Sequence, residues 1–532
     1  MKTMNASKSY RPAVVSTDLI DTTVGDLLLA ASAETPFATA VVEIDAADGR
    51  HSYTYAELLD AATRTAHELQ RRYEPGERIA IWSPSSLNWE VVQFAAALAG
   101  LVVVTINPAY KASELEYVLR QSGSSGLAMV STYRGTDLRE ILDSVRPALP
   151  GLRYVHDLDN WNPDPSPDVQ FRDVDPHSAA MIQYTSGTTG APKGVLLSHR
   201  GMVNNALLFA CRLGIGNGQT WLNPLPMFHL SGCGFGAMGS MWTRSTHVVF
   251  PFEARRALRL IESERAGFMP AVPTMLHDML NHADFASTDV SSLKVVMSGA
   301  TTVPPEVVRR VEDDFGAKFA VVFGQTEVSG VICQSFPDDS IEDKAEFVGK
   351  PLDHTEIRVV DDDGDVAECG ISGEIQIRGF GVMIGYYDAP DQTTAALLPD
   401  GWLRTGDLGS MDERGYIRVT GRLKDMIIRG GENIYPREIE DRLYEHPDVA
   451  DVAVLGIPDE RWGEQVAAFV RLVERADTTA EQLSEFLKYD FTATKVPRIW
   501  VEIDELPLTP SGKIQKYVLR QQFLDGTHTL MP

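Results

Sequence analysis

Five stretches of this chain combine residue types and spacings that could do chemistry. The most specific is Tyr184-Thr185-Ser186-Gly187-Thr188-Thr189-Gly190-Ala191-Pro192-Lys193-Gly194. Glycine serves where the backbone takes positive φ or approaches a ligand closely. Successive N–H groups in such a turn form an anion-binding concavity, and Lys193 adds a mobile point charge suited to phosphate. The order differs from the Walker loop, whose Lys directly follows the last Gly and opens a helix. Here Ala191 and Pro192 intervene, and Val195-Leu196-Leu197 reads as strand. A helix is expected only from Ser198, an N-cap ahead of the run 202–213.

The other four say less when taken singly. Thr405-Gly406-Asp407 reads as a turn with Asp407 in it, and Arg422, fifteen positions on, as a surface charge. Phe323-Gly324-Gln325-Thr326-Glu327 closes an apolar run with a ring, a hydroxyl and a carboxylate. Lys513 lies in a Gly turn near the C-terminus, where a lysine is ordinarily solvated. Gly421-Arg422-Leu423-Lys424 leads to Arg429-Gly430-Gly431-Glu432, a change of fold followed by a glycine turn. Beside these, His229 ends the run Leu225-Pro226-Met227-Phe228, where a core histidine is the ordinary reading.

The elements that must position these residues are mostly α/β in rhythm. Residues 55–72 are amphipathic, 78–82 read as a strand, and 91–106 read as a helix ended by Gly100 and followed by a strand over 101–105. One layered unit is expected over 24–149 and a second over 178–345, separated by the Pro/Asp segment 160–168. In the second unit the runs 225–229, 295–300 and 320–327 are expected as strands delivering small or polar residues at their C-terminal ends, where open α/β sheets bind ligands. Short strands and turns over 346–421 predict a small antiparallel barrel or sheet. Beyond Gly421 comes a compact tail with strands over 449–456 and 464–470 and a helix over 481–488. The fold class is therefore α/β, with a large N-terminal region (1–423) of two layered subdomains plus a small β-barrel. A small α+β C-terminal domain (424–532) follows.

Length and composition agree. The chain has 532 residues, 44% of them hydrophobic and 23% charged, which is ordinary for a multidomain globular enzyme. A net charge of −26 disfavours a nucleic-acid partner, because neutralising phosphates takes clustered Lys and Arg. Cys211, Cys233, Cys333 and Cys369 match no zinc or redox spacing and fit reduced cytoplasmic thiols. No secretory signal is expected, and the longest apolar stretch, 91–106, is too short for a membrane span.

The five motifs, in this order and over about residues 20–520, resemble the adenylate-forming superfamily of acyl-CoA synthetases, luciferases and peptide-synthetase adenylation domains. The resemblance implies that Thr185, Ser186, Gly187, Thr188, Thr189, Gly190 and Lys193 cradle the phosphates of ATP. Asp407 and Arg422 would hold the ribose, where two carboxylate oxygens suit a vicinal diol. Phe323, where the family more often has Tyr, would stack on adenine beside Gly324 and Ala300. Val321 and Val322 stand where the family commonly has a polar residue to read the adenine edge. Thr326 would donate to the α-phosphate, and Glu327 would hold Mg²⁺, which takes one or two carboxylates with phosphate oxygens and water. His229, Ser298, Gly299 and Gly324 would border the substrate carboxylate. Lys513 would reach that carboxylate and the α-phosphate, Lys424 would be the hinge of a mobile C-terminal domain, and Gly430, Gly431 and Glu432 would face the site while CoA reacts.

Within the superfamily the likeness is greatest to medium-chain fatty acyl-CoA synthetases, through residues 324–336 and 348–349. The small and apolar run after His229, Leu230 to Met238, suits a slot for an acyl chain, and helix packing accounts for it equally well. The implied partners are a small carboxylic acid, ATP and CoA. An aryl or alicyclic acid is the alternative substrate class and a carrier protein the alternative acceptor. A homodimer is compatible with the sequence, which does not encode oligomeric state legibly.

Overall fold

The structure, a computed structural model, describes residues 7–163, 170–185, 192–299, 303, 305–508 and 514–531. By internal packing the chain divides into two units. One comprises residues 12–357 with 377–403, the other residues 1–11, 358–376 and 404–532.

Among its described residues the first unit contains two large sheets and a two-stranded one, Thr132–Tyr133 with Thr136–Asp137. In the seven-stranded sheet the neighbours run Gly385–Tyr386, Lys193–Ser198, Ala179–Thr185, Val102–Ile106, Arg78–Trp82, Gly126–Met129, Tyr154–Asp157. Its parallel centre is buried on both faces, as the sequence Val-Val-Val-Thr-Ile of 102–106 requires. The nine-stranded sheet runs Lys350–Pro351, Gly330–Gln334, Lys318–Gln325, Val295–Gly299, Ala266–Pro270, Thr220–Asn223, Thr246–Val249, Thr39–Ile44, Arg50–Thr54. The helix Leu87–Leu98, buried almost all round, touches strands of both sheets. Ser86 caps it through the Trp89 N–H, and Gly100 at φ +68° takes the chain out of it.

Two sequence expectations are corrected here. Segment 160–168 does not separate two layered units, because Ala179–Thr185, beyond it, lies parallel to Val102–Ile106 in the same sheet. Conversely, the early hairpin Thr39–Thr54 belongs to the nine-stranded sheet. Residues 225–229 are not a strand, since the strand ends at Asn223. Pro224 and Pro226 have no N–H to give a ladder. Instead Asn223 Oδ1 accepts from the Leu225 N–H at 3.1 Å, and Pro226 C=O accepts from the His229 N–H at 3.1 Å, so the chain turns. The following residues Ser231–Met238 form a buried π-helix.

The second unit holds two five-stranded sheets. One is ordered Tyr10–Arg11, Thr355–Val360, Gly373–Gly379, Leu403–Met411, Ile417–Arg422. The other is built on the hairpin Val449–Asp459 and Gly463–Leu472, with Ile499–Glu502 parallel to the latter. Helices Pro436–Tyr444 and Ala480–Lys488 bury Ile439, Leu443, Leu483 and Leu487 in its core. Among the described residues no helix is long and apolar enough to cross a membrane.

Candidate active site

The strands Ala179–Thr185 and Lys193–Ser198 form an antiparallel pair with Thr185 opposite Lys193. The stretch between them therefore connects a hairpin, unlike the strand-to-helix connection of a Walker loop. Ser186, Gly187, Thr188, Thr189 and Gly190 lie outside the described residues. Ser198 caps the next helix, His199–Leu213, as its sequence predicts.

Lys193 places its ammonium 4.9 Å from the centre of the Tyr386 ring. The Tyr386 hydroxyl donates to Glu327 Oε1 at 2.9 Å. Burial, with the Glu327 carboxylate beside it, holds the phenol well above its usual range, so Tyr386 stays protonated and donates. Glu327 sits in the 3₁₀ turn Thr326–Val328, ended by Ser329 in the left-handed region at φ 61°. Ser329 Oγ ties that turn down by donating to Gly381 C=O at 2.9 Å, and Thr326 is buried in it. Tyr386 was missed by the sequence reading, since Gly385-Tyr386-Tyr387 alone carries no chemical signal.

Phe323 and Gly324 lie where the ladder between Lys318–Gln325 and Gly330–Gln334 slips, a bulge of the kind that re-aims side chains near sites. The approach is so close that a Cβ on Gly324 would stand 1.9 Å from Gly330 C=O, which excludes any other residue. Ser298 and Gly299 end the neighbouring strand Val295–Gly299. Ser298 Oγ is buried and has no hydrogen-bond partner among the described residues, a group that a bound polar ligand would satisfy. Ala300 lies outside the described residues.

His229 sits in the loop before the π-helix, its Nδ1 accepting from the Ser231 N–H at 3.2 Å, which leaves the neutral ring's proton on Nε2. The loop is held by Gln183, a residue that the sequence analysis does not single out. Its amide donates to Phe228 C=O at 3.0 Å and accepts from the Leu230 N–H at 3.2 Å, one bond on each side of His229. Gln183 is 1% exposed and lies two residues before Thr185 on the same strand. One strand thus sets both the start of the loop 186–191 and the backbone around His229.

In the second unit Asp407 and Arg422 occupy directly opposed positions on Leu403–Met411 and Ile417–Arg422. Asp407 is thus in a strand, not in the turn expected for it. Gly406, at φ +68°, supplies the kink that a turn-like sequence signals, and Thr405 Oγ1 accepts from the Asp407 N–H at 3.1 Å. Arg422 Nε stands 3.0 Å from Asp407 Oδ1. Lys424, exposed, lies in the 3₁₀ turn Leu423–Asp425 that follows. Gly430 and Gly431, at φ 61° and 85°, form the two-residue loop of a tight hairpin in which Arg429 faces Glu432. That loop demands positive φ at both places, so the turn itself explains both glycines. Lys513 lies outside the described residues.

No group of three or more His, Cys, Asp and Glu side chains converges among the described residues. The donors suit Mg²⁺ better than a metal caged by protein. Mg²⁺ keeps its waters and needs one or two carboxylates beside phosphate oxygens, and Glu327 is such a carboxylate.

Residues 28–387 match the AMP-binding enzyme family, and residues 438–513 match the AMP-binding enzyme C-terminal domain. YngI of Bacillus subtilis is 38% identical over 543 residues, covering 96% of this chain and 98% of that protein. The mitochondrial medium-chain acyl-CoA ligase ACSF2 of Macaca fascicularis is 36% identical over 557 residues, covering 97% of this chain and 89% of its own. Among solved structures, ATP-bound MatB from Rhodopseudomonas palustris is similar with a TM-score of 0.85 at 27% identity, over 95% of this chain and 99% of MatB. On this family match, which spans most of its length, and on full-length relatives, the chain belongs to the AMP-binding enzyme family.

Proposed function

We propose that the protein is an ATP-dependent acyl-CoA synthetase whose acid is a medium-chain fatty acid. The observation that carries the reading is the set of Lys193, Tyr386 and Glu327 beside the hairpin end at Thr185: a cation and a carboxylate held on one ring. The name of ACSF2 and the ATP bound to MatB support the same reading.

In the first step a carboxylate oxygen of the acid bonds to the α-phosphorus of ATP. The bond from that phosphorus to the bridging oxygen breaks, giving acyl-AMP and pyrophosphate. Lys193 and the loop 186–191 hold the phosphates, Thr326 donates to the α-phosphate, and Asp407 with Arg422 orients the ribose. His229, Ser298 and Gly299 border the acid, and Phe323 stacks on the base. Glu327 would hold Mg²⁺, which would supply charge neutralisation at the phosphate oxygens. Lys513 offsets the charge that gathers as two anions approach. In the second step the CoA thiolate bonds to the acyl carbon and AMP leaves, with Gly430 to Glu432 replacing Lys513 after rotation about Lys424. Lys424 would then be the joint between a domain of residues 1–423 and one of 424–532. Four free thiols fit a reducing compartment, and the cytoplasm is the one proposed.

The test is pyrophosphate release across a panel of acids, with and without CoA. Saturated acids of about six to twelve carbons should outperform acetate and benzoate, because each buried CH₂ adds roughly 0.8 kcal/mol. A preference for benzoate would replace the medium-chain assignment with an aryl one. Release that CoA does not accelerate would point to a different acceptor.

A further inference from the structure

Tyr386 occupies a position built from three sides. Its two-residue strand Gly385–Tyr386 pairs antiparallel with Lys193–Ser198, Val195 facing Tyr386. The Tyr387 N–H donates to Gly194 C=O at 2.7 Å and the Ile384 N–H to Leu196 C=O at 2.9 Å, so segment 384–387 is bonded to the strand that begins with Lys193. Just before it, the Met383 N–H donates to Glu327 C=O at 2.8 Å. Thr393 Oγ1 accepts from the Tyr386 N–H at 2.9 Å, holding it from behind. The backbone on either side of Tyr386 is therefore bonded to Glu327 itself and to the strand that begins with Lys193.

That side chain has two faces of different chemistry. The ring's negative face meets the Lys193 ammonium at 4.9 Å, and the hydroxyl hydrogen meets Glu327 Oε1. Among the described residues the ammonium and the carboxylate meet this ring and not each other. Opposite charges attract, and a Lys193 paired with Glu327 would offer neither charge to a nucleotide.

We propose that Tyr386 is a positioning residue that keeps Lys193 and Glu327 apart, presenting the ammonium to phosphate oxygens and the carboxylate to the phosphate-bound divalent cation. The assignment rests on the roles proposed above for Lys193 and Glu327. The hydroxyl fixes the carboxylate and the ring face fixes the ammonium, so the two functions separate by substitution. Tyr386→Phe keeps the ring and removes the donor, whereas Tyr386→Leu removes both.

The experiment is calorimetric titration of the full chain with ATP at a series of Mg²⁺ concentrations and in EDTA, with thermal unfolding as a check on folding. Tyr386→Phe should raise the Mg²⁺ concentration for half-maximal ATP binding roughly tenfold, as expected for loss of a hydrogen bond to a charged group. Its ATP affinity in EDTA should stay at the wild-type level. Tyr386→Leu should weaken binding in EDTA as well. Tyr386→His, whose shorter ring does not reach Glu327, should repeat the phenylalanine result and serves if that variant does not fold. Glu327→Gln is the reference. If it shifts the Mg²⁺ dependence and Tyr386→Phe and Tyr386→His do not, the positioning role is overturned. If Glu327→Gln leaves the Mg²⁺ dependence unmoved, the metal role proposed for Glu327 falls and this inference with it.

Discussion

Asp407 and Arg422 face each other across one rung of an antiparallel ladder, with the guanidinium Nε 3.0 Å from a carboxylate oxygen. The fifteen-residue spacing seen in the sequence becomes direct opposition because the intervening chain folds back as a hairpin. Asp407 is nearly buried and Arg422 is half-exposed, so the arginine can orient the carboxylate while itself remaining hydrated.

If this carboxylate reads the ribose, Asp407→Ala should act on the sugar and not on the acid. The wild-type enzyme should prefer ATP to 3′-deoxy-ATP by about tenfold or more in kcat/KM, the worth of a hydrogen bond to a charged group. The variant should lose that preference while its KM for the acid stays unchanged. Retained discrimination in Asp407→Ala would remove Asp407 from the ribose site.

Gln183 offers a separable effect on the acid. Gln183→Leu leaves Phe228 C=O and the Leu230 N–H without their partner, at a cost of about 1–3 kcal/mol in stability. Because both bonds flank His229, the KM for the acid should rise several-fold more than the KM for ATP. Thermal unfolding and paired saturation curves measure the two effects. Equal change in both KM values would reduce Gln183 to a core residue.

If Lys424 is the hinge proposed above, a third behaviour follows. Proline fixes φ near −65° and also restricts the residue before it, here Leu423. Lys424→Pro should therefore hold acyl-AMP formation within about tenfold of wild type while thioester formation falls much further, as expected of a hinge that absorbs large φ/ψ changes. Lys513→Ala should do the converse, losing adenylation while still converting supplied acyl-AMP. Both half-reactions must be followed on the same preparation, and parallel loss in Lys424→Pro would rule out the pivot.

Local elements were readable where one strong signal dominated. Helix Tyr55–Arg72 has the bounds its pattern predicts, because Thr54 and Glu57 close a capping box at one end and Arg71 and Arg72 mark the other. Strand Arg78–Trp82 is likewise where its apolar run lies. The misread strand at 225–229 shows the limit: the apolar residues were counted, but Pro224 just before them and Pro226 among them decide the backbone. Sheet membership was not readable at all, since the partner of a strand is chosen by packing over long separations and leaves no trace in its own sequence. Of the candidate site, motif residues with unusual composition stood out, whereas Gln183 and Tyr386 did not. Each is an ordinary residue in a strand, and its neighbours in space come from segments 45 and 59 residues or more away.

The hairpin Thr39–Thr54 has a consequence for how the chain comes to be folded. Its parallel neighbour in the nine-stranded sheet is Thr246–Val249, with Val41 opposite His247. The neighbour is made roughly 200 residues later, which at about 5–20 residues per second of synthesis is a wait of about 10–40 s. During that interval the nascent chain carries Val41 and Val42, both fully buried in the finished protein, on an edge with nothing beside it. The hairpin made early can thus take its place beside Thr246–Val249 only once nearly half the chain has been synthesised.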